Sequence, residues 1–552
     1  MSLPLLAAVV LAVLVLGYRF YGRLIARQFS LAGTDDTPAH RHNDGVDFVP
    51  TKPFYLFGQH FSAIAAAGPI VGPILACQQF GWLPAILWIT IGVVFIGAVH
   101  DFVTLVASVR HDARSIAEVV KHALGPKAWL AILTFIWLAL IYVIVAFVDV
   151  TASTFVTGDA DAAGLTFRFN QGGAVALSSG LYLGLAVVMG LVQKASPRTP
   201  LWLVSLIFVP ATFAVVWLGT QYSTLLILSW RTWVILILAY CFVASMVPMW
   251  ILLQPRGYLG GFVLYAALAV GTIGIFFGGF EIKQPAFKGF DVGGPTGLLF
   301  PFLFVTIACG ACSGFHGLVC SGTTSKQIDR ETHCHPIGYG AMLLEAFVAV
   351  IALATIMIVA PGAAKGPNAI YAGGLGAFLH SLFGVDPLVA TTFGAMALST
   401  FIFDTLDSAT RLGRYILQEL FGKTDRASGY AATALTVGVP LAFLLAAQQG
   451  SYRLFWTLFG TSNQLLAALS LLAITVWLRK LGKPIWFTLA PMVLVFAVTL
   501  VSLVLQVKQI ANATIGSASW LNGMVSLILL GLAMILVVYA ARAWKTARPT
   551  TI

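Results

Sequence analysis

The sequence predicts an all-α polytopic membrane protein of about 15 transmembrane helices, with a five-plus-five inverted repeat and extra helices at both ends. Three observations carry this expectation: the composition, the spacing of the apolar spans, and two proline-interrupted spans at matching places. Of 552 residues, 59% are hydrophobic and 9% charged, whereas a soluble domain carries about 25% charged residues. A soluble core of this size could not be covered with polar surface, so the bilayer is the expected solvent. The 53 glycines and 24 prolines sit largely inside apolar segments, where membrane helices tolerate them, so they do not signal disorder. Of Cys77, Cys241, Cys309, Cys312, Cys320 and Cys334, five fall in or at the ends of apolar segments, which argues against a secreted disulfide framework.

The apolar spans lie near 2–22, 54–77, 82–108, 127–150, 172–193, 199–218, 230–253, 257–279, 298–320, 337–360, 386–409, 429–447, 454–478, 484–506 and 518–541. Each is close to the ~20 residues that cross a bilayer core. The first has no charged side chain before Arg19 and is followed by Arg23 and Arg27, so it reads as an uncleaved helix rather than a signal peptide. With the N-terminus outside, alternation puts 24 of the 31 Lys and Arg in cytoplasmic loops and 7 outside. That bias follows the positive-inside rule and places the C-terminus in the cytoplasm. It also accounts for the net charge of +11 without a nucleic-acid partner. The expected blocks are 1–53 (first helix and cytoplasmic loop), 54–218 and 230–409 (the two repeats), and 429–552 (additional helices).

The second span holds Gly68-Pro69 and Gly72-Pro73, and five spans later "YCFVASMVPMWILLQPRGYLGGF" holds Pro248 and Pro255. The two spans run in opposite directions across the membrane. In secondary transporters built from inverted repeats, the first helix of each half is discontinuous and substrate sits at the breaks near the midplane. Freed carbonyls there can hold a cation, and the N-terminus of a half-helix can hold a carboxylate. The expected substrate-binding residues are therefore His60, Ser62, Gly68, Pro69, Gly72, Ser245 and Pro248.

Several long strings resemble the carbon starvation protein A (CstA) family. They are "NDGVDFVPTKPFYLFGQHFSAIAAAGPIVGPILA", "GAVHDFVTLVASVRHDARSIAEVV", "ILLQPRGYL", "CSGFHGLVCSGTTSK", "IGYGAMLLEAFVAVIAL", "FIFDTLDSATRLGRYILQEL" and "LFGTSNQLLAALSL", in order from Asn43 to Leu471. The resemblance implies the amino acid–polyamine–organocation superfamily with its LeuT-like inverted repeat. It also implies uptake of peptides during carbon starvation, or proton-coupled uptake of pyruvate, across the bacterial cytoplasmic (inner) membrane. The chain departs from the family's pattern at His100, where members read Gln, and in the loop "ETHCHP". In LeuT-like folds the third helix of the second repeat faces a cation site, which adds Ser313 and His316 to the substrate-binding set.

Ionisable groups inside membrane spans point to function by default. The expected ion-coupling residues are Asp101, Glu345, Asp404 and Asp407, carrying protons or, less favoured, sodium. Asp101 and its neighbour His100 project about 100° apart on a helix, so they are not expected to bond; Arg411 or Arg414 is the expected partner of Asp101. Asp407 and Arg411 are four apart, an ion-pair spacing, and Asp404 lies deeper. Glu345 is free to pair with one of these groups, and Asp149 reads as interfacial. In "FGTSNQLL", Gly460 to Gln464 read as a local break or as interhelical hydrogen bonds.

His333, Cys334 and His335 in one cytoplasmic loop, with His40 and His42 in another, are of metal-ligand type. A bound zinc or other transition metal is the one cofactor this suggests. It supports an alternative reading as a membrane metal-binding or redox protein. No nucleotide-binding loop or catalytic constellation is visible, so the chain is not expected to be an enzyme. The expected partners are the substrate, the coupling ion and membrane lipids.

Overall fold

The computed structural model describes residues 2–44, 48–65, 67–158, 169–196, 198–248, 250–362, 366–423 and 425–546. Arg168, Lys365 and Arg548, part of the charge asymmetry above, lie outside the described residues. The regular elements among them are helical. In chain order they are α1 (Leu3–Arg27), α2 (Pro53–Ile64), α3 (Gly68–Phe80), α4 (Trp82–Arg110), α5 (Ile116–Leu124), α6 (Pro126–Phe155), α7 (Gln171–Ala195), α8 (Leu201–Gln221), α9 (Trp230–Met246) and α10 (Leu253–Phe277). There follow α11 (Leu299–Thr306), α12 (Gly314–Gly322), α13 (Glu331–Met357), α14 (Pro367–Phe383), α15 (Pro387–Phe421), α16 (Arg426–Ala446), α17 (Tyr452–Lys480), α18 (Trp486–Asn512) and α19 (Ser519–Lys545).

Twelve of these are long and apolar enough to cross a membrane, or up to 13 if α2 and α3 count as one bent span. The expected 15 is therefore not reached by this measure. The α9 helix has only 17 residues, and the expected span 298–320 is divided into α11 and α12. Conversely, α14 was not expected at all. Its sequence, "PNAIYAGGLGAFLHSLF", is too short and glycine-rich to register as a span.

Local chemistry explains many of the ends. Ser115 caps α5 by accepting from the Glu118 amide at 3.4 Å, the serine-to-glutamate spacing of a capping box. Asp425 caps α16 by accepting from the Ser428 amide at 3.1 Å. Gly81 joins α3 to α4 with φ +94°, a conformation that glycine adopts without penalty.

The chain divides into two compact units by contact, each assembled from separated stretches. This division is different in kind from a division into sequence repeats. The first, the Arg256 unit, comprises 140–284 and 351–455 with residues 1–4. It holds α7–α10 and α14–α16. Within it α14 and α15 form a close hairpin. A β-carbon at Gly376 would lie 2.8 Å from Thr391 Oγ1, the close backbone approach that small residues permit.

The second, the Asp101 unit, comprises 5–139, 285–350 and 456–552. It holds α2–α5, α11, α12 and the last helices. Here α3 packs on α11 and α2 on α12, so the two interrupted helices run antiparallel. The α2–α3 pair bends by 45° between Ile64 and Gly68. The second interruption lies between Thr306 and Gly314.

That second interruption corrects the expectation for Ser245 and Pro248. The α9 helix ends at Met246, and Val247 is extended, with φ −74° and ψ 151°. A residue before proline is pushed toward that region, so Pro248 terminates the helix instead of interrupting it. Pro255 sits in the first turn of α10, where a helix loses no internal hydrogen bond to proline. Ser245 and Pro248 also belong to the Arg256 unit, whereas Gly68, Pro69 and Gly72 belong to the Asp101 unit.

Candidate functional site

The two interruptions in the Asp101 unit meet through small residues. A β-carbon on Gly72 would lie 2.5 Å from the Thr306 carbonyl oxygen, and one on Gly68 would collide with Cys309 Sγ. Pro69 is buried beside them. The carbonyls freed at the end of α11 are taken by side-chain donors. Trp88 Nε1 donates to Phe304 and Ile307 oxygens, each at 3.2 Å. Trp456 Nε1 donates to Thr306 O at 3.1 Å, and Gln464 Nε2 to Phe304 O at 3.0 Å. At the start of α12, Asn463 Oδ1 accepts from the Phe315 amide at 2.8 Å, and its Nδ2 lies 3.1 Å from Ser313 Oγ. The polar run Gly460 to Gln464 therefore supplies interhelical hydrogen bonds from an unbroken α17. These contacts answer for the backbone groups that an interruption leaves without helical partners.

Just beyond this junction lies a buried chain of titratable groups. His100 Nδ1 bonds Asp101 Oδ1 at 2.8 Å. Asp101 Oδ2 bonds His316 Nδ1 at 2.9 Å, and His316 Nε2 lies 3.3 Å from Glu345 Oε2. All four side chains are buried. His60 reaches the same unit through Nδ1 to Thr324 Oγ1 at 2.9 Å, and Ser62 is half-buried on the same helix. Two expectations are corrected. His100 and Asp101 do bond, because rotation about the side-chain torsions closes the angle between neighbouring helix positions. The groups beside Asp101 are the imidazoles of His100 and His316, and not Arg411 or Arg414.

Both ring nitrogens of His316 face carboxylates. A neutral imidazole has one N–H, whereas an imidazolium donates from both nitrogens. With Asp101 ionised, two arrangements therefore satisfy the contacts: a charged His316 between two carboxylates, or a neutral His316 beside a protonated Glu345. They differ by one proton moved across the 3.3 Å gap.

The carboxylates of α15 lie in the Arg256 unit and are paired differently. Arg256 is fully buried; its Nη2 pairs with Asp404 Oδ1 and its Nη1 lies 2.6 Å from Asp407 Oδ2. Tyr240 donates to Asp407 Oδ2 at 2.8 Å, and Tyr182 donates to the Arg256 carbonyl at 2.6 Å. The expected Asp407–Arg411 pair is not formed. Arg411 instead donates to the Ala244 and Val247 carbonyls, at 2.7 and 3.0 Å, where it caps the C-terminus of α9. Ser245 Oγ lies 3.5 Å from Thr433 Oγ1 nearby. Asp149 is buried within the protein. It accepts from Trp230 Nε1 at 2.9 Å and from the Tyr452 amide at 2.6 Å, which marks it as a structural cap for α17.

The loop residues of metal-ligand type are dispersed. His335 stacks on Tyr339 and lies tilted against Tyr18, Cys334 is buried, and His333 Nδ1 lies 4.0 Å from Asp329 Oδ2. Among the described residues, the one group of three metal-type ligands gathered within 4.8 Å is Asp35, His40 and Asp329. Arg330 Nε lies 2.9 Å from that Asp35, so this cluster already contains a cation. All six cysteines are free and buried.

A family profile described as "Carbon starvation protein CstA" matches residues 2–369 and 360–502. The chain belongs to the CstA family. It is 34% identical to "Peptide transporter CstA" of Campylobacter jejuni, over 90% of this chain and 79% of the relative. It is 32% identical to "Peptide transporter CstA" of Bacillus subtilis, over 97% and 96%. It is 34% identical to "Pyruvate/proton symporter BtsT" of Escherichia coli, over 87% and 78%. Each relative is named as a transporter or symporter, none as an enzyme, and the metal or redox alternative finds no support among them. A solved manganese transporter of Eremococcus coleocola matches with TM-score 0.47 and 12% identity, over 91% of this chain and 98% of that one, a likeness too low to assign a fold.

Within this CstA-family chain, Arg256, Trp88 and Trp456 are the site residues that sequence reasoning missed. A signal for Arg256 was present. Two carboxylates on one helix face within a membrane span need a buried cation, and "ILLQPRGYL" sets an arginine between two apolar runs.

Proposed function

We propose that the chain is a proton-coupled secondary transporter of the bacterial inner membrane, taking up peptides or a small carboxylate such as pyruvate. The names of its relatives support both substrate classes. The observation that carries the coupling is His316, held with one ring nitrogen 2.9 Å from Asp101 and the other 3.3 Å from Glu345. Histidine is the side chain whose ordinary charge change spans neutral pH, and here it sits directly on the interrupted α12. In this reading, Gly68–Gly72 and Gly314 present two half-helix N-termini to the substrate carboxylate. Loading a proton onto the His316–Glu345 pair then biases the rocking that exposes the site to one side or the other.

The fold in this reading is a LeuT-like inverted repeat. Its paired interruptions lie between Ile64 and Gly68 and between Thr306 and Gly314, so in this reading the second half starts at α11 rather than at residue 230, and their antiparallel packing supports the pairing. The charge asymmetry of the loops supports an outside N-terminus and a cytoplasmic C-terminus.

Purified protein in proteoliposomes tests the reading. Labelled pyruvate and di- or tripeptides are supplied with an inward proton gradient. Accumulation of one of them, abolished by a protonophore, is expected. Accumulation that survives collapse of the proton gradient overturns proton coupling.

A further inference from the structure

The geometry points to a second proton-binding site in the Arg256 unit, in which Asp404 and Asp407 share one resident proton over the Arg256 guanidinium. This inference does not depend on the transport reading. It starts from a charge count in a sealed place. Two carboxylates face one guanidinium; Arg256 and Asp407 are 0% and 1% exposed. A lone buried carboxylate without a compensating partner is far more costly than a buried acid, so such a group takes up a proton.

The atoms agree with the count. Arg256 spends one Nη on each carboxylate, so neither aspartate receives the two-pronged contact that a guanidinium gives to a single carboxylate. Asp407 Oδ1 and Arg256 Nε are buried and have no hydrogen-bond partner among the described residues. Asp404, with 15% of its side chain exposed, is the wetter member and the route by which a proton enters.

Of the other described groups facing the pair, Arg411 carries positive charge, but it acts on Asp407 less than the neighbouring Asp404 carboxylate does. From α7 comes Tyr182, whose hydroxyl is spent on the Arg256 carbonyl. From α9 come Tyr240, which donates to Asp407, and the Cys241 thiol. From α15 itself comes Arg411, one turn beyond Asp407. Its guanidinium donates to the Ala244 and Val247 carbonyls, where the partial negative charge of a helix C-terminus, about half an elementary charge, draws on it. Arginine stays charged throughout, so a change of protonation in this cluster falls on the aspartates. The proton is called resident because the aspartates that hold it are pinned by a fixed cation, unlike the imidazole of the Asp101 unit.

Infrared difference spectroscopy of the purified full chain tests this. Wild-type minus Asp404→Asn and wild-type minus Asp407→Asn spectra are recorded at neutral pH. Each is expected to contain a protonated-carboxyl C=O band, because removing either aspartate leaves the other ionised on Arg256. Arg256→Gln is expected to add a second such band. If one Asn variant does not fold, the other and Arg256→Gln still decide. Absence of the band from the difference spectra of the folded variants overturns the proposal and leaves both aspartates ionised, balanced by Arg256 and Arg411 together.

Discussion

In the Asp101 unit, two carboxylates on different helices flank an imidazole. In the Arg256 unit, two carboxylates on one helix flank a guanidinium. Both clusters are buried in apolar helices, and both hold more carboxylate than an apolar interior tolerates uncompensated. What separates them is the central cation. A guanidinium keeps its charge at every accessible pH, so it anchors, and any proton must reside on its neighbours. An imidazole exists both neutral and charged, so in the proposed reading it passes a proton to Glu345 and takes it back. The same ingredients thus make a fixed pin in one unit and, in the proposed reading, a switch in the other. A list of intramembrane acids cannot separate the two; the identity of the partner can.

The largest expected effect tests the pin. Arg256→Gln leaves Asp404 and Asp407 without a cation and should lower stability by about 3–5 kcal/mol, the cost of breaking a buried pair by removing one partner. Thermal unfolding in detergent measures it. Arg256→Lys should recover only part, because an ammonium lacks the planar fork that reaches both carboxylates. A loss below about 1 kcal/mol, as for an exposed pair, would erase the distinction between the units.

A smaller cost, joined to a larger functional change, is expected at the switch. His316→Gln should destabilise by about 1–3 kcal/mol, since buried acceptors lose a donor. It should also flatten the pH dependence of uptake while substrate exchange persists. A pH profile unchanged from wild type would show that His316 only packs.

Two further substitutions sharpen the Asp101 unit itself. Trp456→Phe removes the donor to Thr306 O and should cost about 1–2 kcal/mol, read by the same unfolding assay, with added loss of substrate binding if the α11–α12 interruption is the binding backbone. His100→Gln should cost least, about 0.5–1 kcal/mol, because Asp101 keeps its bond to His316. Uptake should stay near wild type, and a large loss would move the switch from His316 to His100.

Much of this could be read before the fold was known, and the remainder failed for definite reasons. Asp101, His316 and Glu345 each stood out singly, as polar groups in apolar spans. That they touch depends on α4, α12 and α13 coming together, which no local spacing encodes. The first interruption was visible because it is written in prolines. The second was not, because "IACGACSG" breaks its helix with small residues and foreign hydrogen bonds from Asn463, Trp88 and Trp456. Pro248 looked like a break and proved to be a terminator. Arg256 falls in the gap between the expected spans 230–253 and 257–279, yet it is buried in the first turn of α10.

The most direct test of the account is gradient-driven accumulation by Glu345→Gln in proteoliposomes. An imidazole facing a glutamine cannot return its proton to that side. The account predicts that uphill accumulation of the transported substrate is lost while counterflow between equal pools continues. Accumulation at the wild-type level in Glu345→Gln would contradict it.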